Sequence, residues 1–219
     1  TLMYVGLGTS ISMLITIMGA FILSHRDFML KRITMALVVF TMYFSGGMIP
    51  TYLVVTQLKL TNSLWGFLLP GAVSVYNLIV LRTAFNSVPK ALLESAEIDG
   101  AGDLTVLFRI VLPLSTASLA TIGLFYAVTF WGSWYNALVY LQKRRDLYPL
   151  QMILRELLIT DKTTDSMVTA YNGQAANQYL LKEIVKYCAI VVSTLPILAV
   201  YPFIQKYFVK GIMLGAIKE

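Results

Sequence analysis

Five stretches of this chain run for about 20 residues without a single Asp, Glu, Lys or Arg: 2–23, 33–55, 60–81, 114–141 and 187–205. As an α-helix, each is long enough to cross the hydrocarbon layer of a bilayer, about 30 Å thick. Inside lipid the backbone must satisfy its own hydrogen bonds, so an apolar stretch of this length that enters the membrane has to be helical. The expected fold is therefore all-α: a polytopic membrane protein with five visible spanning helices and one domain covering 1–219. Composition agrees, because 58% of residues are hydrophobic and only 13% charged. Soluble domains carry about 25% charged and 45–50% apolar residues.

Prolines fall inside or near several spans: Pro50 beside Gly46 and Gly47, Pro70 in the third, and Pro196 and Pro202 in the fifth. Such prolines kink a spanning helix and free carbonyls that neighbours must satisfy. The linkers divide the basic residues nine against eight between the two faces, which fixes no orientation by itself. Seven of the eight lie in one long segment, 142–186, and long segments cross with less regard to charge. Charge thus only leans toward a cytoplasmic linker 83–113 and tail 206–219, with 142–186 outside; that expectation rests chiefly on the motif described below. Cys188 sits alone in an apolar run and reads as a small buried hydrophobe, and His25 as a solvated turn residue. One Cys and one His leave little room for transition-metal chemistry.

The linker 83–113 is the polar exception. With the residue before it, it holds Arg82, Lys90, Glu94, Glu97, Asp99, Asp103 and Arg109. At about 2.5–3.5 kcal/mol per charge near the bilayer centre, embedding all of them would cost on the order of 20 kcal/mol. The segment is aqueous, and it also reads as ordered. Ser87 is a candidate N-cap, Pro89 suits a first helical turn, and Gly100 stands where a helix C′ position needs positive φ. Asp103 is placed to cap a second short helix, Leu104 to Val111, that stops near Pro113. A short helix on a glycine pivot can press into a groove of a soluble partner and pass its movement to the next span.

The spacing Glu94-x-Ala96-x3-Gly100-x9-Ile110-x-Leu112-Pro113 resembles the EAA loop of permease subunits of binding-protein-dependent ABC importers. The longer string Glu94-x-Ala96-x-Ile98-Asp99-Gly100-Ala101, with Phe108 before Ile110, is similar to the carbohydrate branch that includes the maltose-type permeases. The closing Phe208-Val209-Lys210-Gly211-Ile212 resembles that branch's tail. Tyr148-Pro149-Leu150-Gln151 is similar to a sub-branch that imports oligosaccharides from acidic, pectin- or alginate-like polysaccharides. Ser95 departs from the usual second alanine. Such permeases have six spans, so the first is expected to be absent from this chain, which opens at Thr1 inside an apolar run.

The resemblance implies that Glu94, Ala96, Asp99, Gly100, Ala101, Ile110, Leu112 and Pro113 couple the chain to a cytoplasmic ATPase. It also implies a multi-pass protein of the bacterial inner membrane with its C-terminus in the cytoplasm. Its expected partners are a second, homologous permease, two ATPase subunits, an external solute-binding protein and a carbohydrate, with membrane lipid around it and no nucleic acid. No G-x4-G-K-[ST] occurs, so this chain has no Walker loop; ATP and Mg belong to the partner, and no cofactor, metal or catalytic residue is expected here.

The aromatic run of the fourth stretch offers sugar-stacking surfaces. Tyr126, Trp131, Trp134, Tyr135 and Asn136, with Asn77 in the third span, are candidates for the substrate path. Trp and Tyr near a helix end also form interfacial belts, and Asn77 can equally join helices, so both readings stand. Lys143, Arg144 and Arg145 form a compact basic cluster that faces either an acidic sugar, the binding protein or solvent. An ion-coupled secondary transporter is the competing function; it usually places ionisable residues within its spans, and these spans have none. A structural membrane subunit is the other alternative, opposed by the coupling-loop spacing alone.

Overall fold

The computed structural model describes residues 1–25, 29–164 and 184–199, with side chains of 159–164 outside that description. Its helices, in chain order, are α1 Leu2–Ser24, α2 Lys31–Tyr43, α3 Met48–Gln57, α4 Leu64–Gly71, α5 Val75–Asn86 and α6 Lys90–Ile98. There follow α7 Asp103–Leu114, α8 Thr116–Trp131, α9 Trp134–Tyr140, α10 Leu150–Thr164 and α11 Ile184–Ala199. The described residues are helical or in turns, as an all-α chain requires.

α1 is the one straight helix among the described residues long and apolar enough to span. Its 23 residues rise about 34 Å at 1.5 Å each. Its buried face is a row spaced four apart: Tyr4, Gly8, Ser12, Thr16 and Ala20. Such a row forms one stripe along a helix, and small residues on it let a neighbouring backbone come close. That neighbour is α8. A Cβ at Gly8 would lie 2.8 Å from the Phe130 ring, so only glycine fits the contact as built. α1 packs chiefly on α8 and α5, and the core includes Phe67, Leu78, Leu81, Phe85, Leu107, Ile122, Tyr126 and Phe130.

The structure divides three of the apolar stretches. The stretch 33–55 becomes α2 and α3, bent by 113°. The chain turns at 44–47, where Phe44 is extended and Gly47 takes φ +83°, a conformation that glycine reaches without strain. The Ser45 hydroxyl accepts the Gly47 N–H at 3.2 Å, satisfying an amide left over by the break. The stretch 60–81 becomes α4 and α5, bent by 56° just after Pro70. Ser63 and Ser74 cap the two, accepting from the N–H of Gly66 (3.2 Å) and Asn77 (3.4 Å). The fourth stretch opens on the last residue of α7, and α7 and α8 meet at 86°.

Ahead of that third bend, α7 widens into a π-helical turn over Leu107–Val111. Pro113 follows at once, and having no N–H it cannot donate the next helical bond. The Ser115 N–H reaches both Val111 and Leu112 carbonyls at 3.1 Å, and α8 starts in a new direction. Gly132 and Ser133 then separate α8 from α9, so 114–141 is two helices as well. Of the fifth stretch, 187–199 is helical, within α11; its remainder and the tail 206–219 lie outside the described residues, as do Arg26 and most of the far half of 142–186.

Two corrections concern single residues. Cys188 is exposed on α11 rather than buried, because a helix apolar all round gives no signal of which face turns inward. His25 is half-buried at the C-cap of α1 instead of standing free in solvent.

Candidate functional site

α6 and α7 form the expected helix–glycine–helix element. The Gly100 N–H donates to the Glu97 carbonyl at 3.0 Å, and the Ala101 N–H to Ala96 at 2.9 Å. With Asp99 as C-cap and Gly100 at φ +76°, this is a Schellman closure. Ala96 and Ala101, the residues joined by the 2.9 Å bond, both rest against the apolar core. Nothing lies within 4 Å of where a Gly100 Cβ would be, so its positive φ alone favours glycine there. The caps sit elsewhere than the sequence suggests. Pro89 and Gly102 are the N-cap residues, Ser87 donates to the Ala84 carbonyl, and Asp103 occupies the first helical turn, where its charge complements the helix dipole.

The motif residues split between two faces. Ala96, Ala101 and Leu112 pack inward and Ile110 is half-buried, while Glu94, Asp99, Gly100 and Pro113 are exposed. The outward face also carries Leu92 and Leu104, and Ile98 (86% exposed) and Phe108 (62%) of the longer string. α6 has no buried residue, whereas α7 anchors the element in the core through Val106, Leu107 and Val111. Immediately before the loop, Arg82 Nε donates to the Leu23 carbonyl at 3.0 Å, tying the end of α5 to the end of α1.

The bundle interior holds a polar seam that the sequence reading did not assemble. Tyr126 is buried, and its hydroxyl lies 2.7 Å from Thr16 Oγ1 and accepts the Ser74 N–H at 3.1 Å. It thereby satisfies an amide at the bend between α4 and α5. Asn77 is also buried, in the first turn of α5 beside that bend. The hydroxyls of Thr9 and Ser12 and the Trp131 indole N–H are buried without a hydrogen-bond partner among the described residues. The row Gly8-x3-Ser12-x3-Thr16-x3-Ala20 was the available signal.

Trp134 and Tyr135 stand apart from Tyr126, at the far end of the bundle. Their rings meet edge to face at 5.7 Å, Arg155 lies 4.7 Å over the Trp134 ring, and the Tyr135 hydroxyl contacts Met48 Sδ. Asn136 Nδ2 lies beside Gly71. The basic cluster is mostly paired. Arg144 grips Asp146 through two nitrogens (2.8 and 2.7 Å), and Arg145 lies 3.8 Å from Glu156. The Arg144 guanidinium holds the Asp146 carboxyl below its ordinary range. Lys143 alone of the three has no ion-pair partner among the described residues; its backbone N–H bonds Asn62 Oδ1 at 2.8 Å.

Residues 11–141 match the family described as binding-protein-dependent transport system inner membrane component. Over 212 residues the chain is 45% identical to the Bacillus subtilis (strain 168) polygalacturonan/rhamnogalacturonan transport system permease protein YtcP, covering 97% of this chain and 73% of that one. It is 43% identical to Protein LplC of the same organism over 212 residues, covering 96% and 70%. Among solved structures it resembles a chain of a bacterial ABC transporter involved in the import of the acidic polysaccharide alginate. That match has a TM-score of 0.83 and 32% identity, and covers 94% of this chain and 72% of the other. An all-helical bundle with broken spans, a matching family and a matching importer structure lead to one conclusion: the chain belongs to the binding-protein-dependent inner-membrane transport components, as a multi-pass, non-catalytic permease subunit of an ABC importer.

Proposed function

We propose that this permease carries acidic oligosaccharides of the pectin type across the inner membrane, its conformation driven through α6 and α7 by a partner ATPase. The substrate reading rests on the 45% identity, spread over 97% of the chain, to a permease named for polygalacturonan and rhamnogalacturonan. The likeness to an alginate importer points to the same chemistry, since both polysaccharides are acidic. The complete importer would pair this chain with a homologous permease, two ATPase subunits and an external binding protein, its C-terminus facing the cytoplasm.

The coupling role rests on geometry. Leu92, Ile98, Leu104 and Phe108 are exposed on an element that the charges of 82–109 keep in water. Apolar side chains held outward there are suited to a groove on a soluble subunit, with Glu94 and Asp99 at its polar margin. The Schellman turn fixes the angle between the two helices, and α7 runs directly into α8. Movement of the docked helix would then be delivered to the helix that lines α1 and the polar seam.

The test is uptake of trigalacturonate into proteoliposomes holding the complete importer, its binding protein and internal ATP, against maltotriose as a neutral comparator. Uptake of the acidic trisaccharide alone supports the substrate class; uptake of the neutral sugar alone refutes it.

A further inference from the structure

At the end of the bundle opposite the α6–α7 loop, α3, α9 and α10 line an open cleft of about 770 Å³. Its position follows from α1. The Leu23 end of that helix is bonded by Arg82, beside the loop, while Tyr4 donates to the Leu147 carbonyl at 2.6 Å and Thr1 Oγ1 accepts the Leu150 N–H at 2.6 Å. The helix is about 34 Å long, so the cleft and the coupling loop lie a membrane thickness apart.

The lining sets Tyr52, Tyr135, Tyr148, Gln142 and Glu156 among an equal number of apolar side chains. A lipid chain would need none of these polar tips. A sugar ring uses all of them, because its C–H faces stack on aromatic rings and its vicinal hydroxyls bridge an amide and a carboxylate. Arg145 stands 3.8 Å from Glu156 and Arg155 covers Trp134, so cations sit at the rim. Arg145 can therefore offset the Glu156 charge or turn to the carboxylate of a uronic acid. The volume falls within the range of roughly 300–1,000 Å³ usual for ligand sites.

We infer that this cleft is an outer subsite for one sugar ring of the transported oligosaccharide, a role that rests on the carbohydrate reading above. The assembled permease pair and ATPases in lipid nanodiscs, with binding protein withheld, are titrated with trigalacturonate and separately with maltotriose. Tryptophan emission is followed, since Trp134 abuts Tyr135. A saturable change is expected, abolished by Trp134→Phe and weakened about tenfold in Kd by Gln142→Ala and by Glu156→Gln. These two polar variants leave the aromatic packing in place, and assembly is checked by gel filtration. A saturable response with wild-type affinity in both variants, or no response to either trisaccharide, overturns the subsite and leaves the cleft to lipid. Proteoliposome uptake separates the two ideas. Trigalacturonate uptake without any cleft response rejects the subsite alone. Maltotriose uptake accompanied by a maltotriose response rejects the acidic substrate class and keeps the subsite.

Discussion

The α1–α5–α8 bundle and the α6–α7 loop solve opposite problems. In the bundle, polar groups are turned inward, and at its centre Thr16, Tyr126 and the Ser74 amide bond one another where lipid would leave them stranded. In the loop, apolar groups are turned outward, with Ile98 and Phe108 standing exposed beside charged neighbours. A bundle in lipid is specified by close approach and internal hydrogen bonds, because apolar surface is as comfortable against acyl chains as against another helix. An element in water is specified by what it leaves uncovered. The same chain thus keeps polarity inside on one side of the interface and offers hydrophobicity on the other.

The contrast can be broken most severely at Gly8. A leucine there would drive into the Phe130 ring, so Gly8→Leu is expected to abolish recovery of the assembled complex from membranes, measured by gel filtration in mild detergent. Gly100→Asp acts on the loop alone. It should leave insertion intact but reduce uptake by at least about tenfold while ATP hydrolysis continues, since a β-carbon strains the φ of +76° and shifts the docked helix. Normal uptake by that variant removes the coupling assignment. Tyr126→Phe tests the seam: it strands the Ser74 amide and should cost about 1–3 kcal/mol, read as a lower unfolding midpoint of the purified complex. An unchanged midpoint would mean that water replaces the hydroxyl.

The smallest effect belongs to the Arg144–Asp146 ion pair. Asp146 has its carboxyl pKa lowered by Arg144, so whatever stability the pair gives is present above the unfolded carboxylate range and is lost only as pH falls through the lower folded value. Both groups are exposed, and Arg144→Ala should leave the unfolding midpoint unchanged between about pH 6 and 8.

Much of this was legible in the residues. Uncharged stretches announced the helices, and Gly100 announced a left-handed C′ because few other residues tolerate that backbone. Gly47 and Pro70 marked where helices break, but the bend angles were not readable, since they depend on which neighbour accepts the freed groups. Tyr126 illustrates the limit. Its partners lie 110 and 52 positions away, so sequence showed an aromatic candidate for the substrate path but not that its hydroxyl joins Thr16 to the Ser74 amide. The caps were misplaced by a residue or two because capping depends on the extended backbone of Pro89 and Gly102, which outweighs the side-chain preference for Ser and Asp. The row of small residues on α1 was present but hidden by the evenness of its hydrophobicity, which shows no polar face. Lys143-Arg144-Arg145 looked like a uniform cationic patch until the fork with Asp146 took one member out.

Arg82 gives the molecule a mechanical consequence. It is fixed to the Leu23 carbonyl at the C-terminal end of α1, shortly before α6, so under the coupling proposed above α1 would act as a lever pinned beside the point where force arrives. Over about 34 Å, a tilt of about 5° at the pin sweeps the opposite tip through about 3 Å. That tip is bonded to Leu147 and Leu150, on either side of Tyr148. Under that proposal, a push too small to disturb the packing beside α6 would still shift the Tyr148 end by about 3 Å, enough to change how closely a sugar ring fits the cleft there.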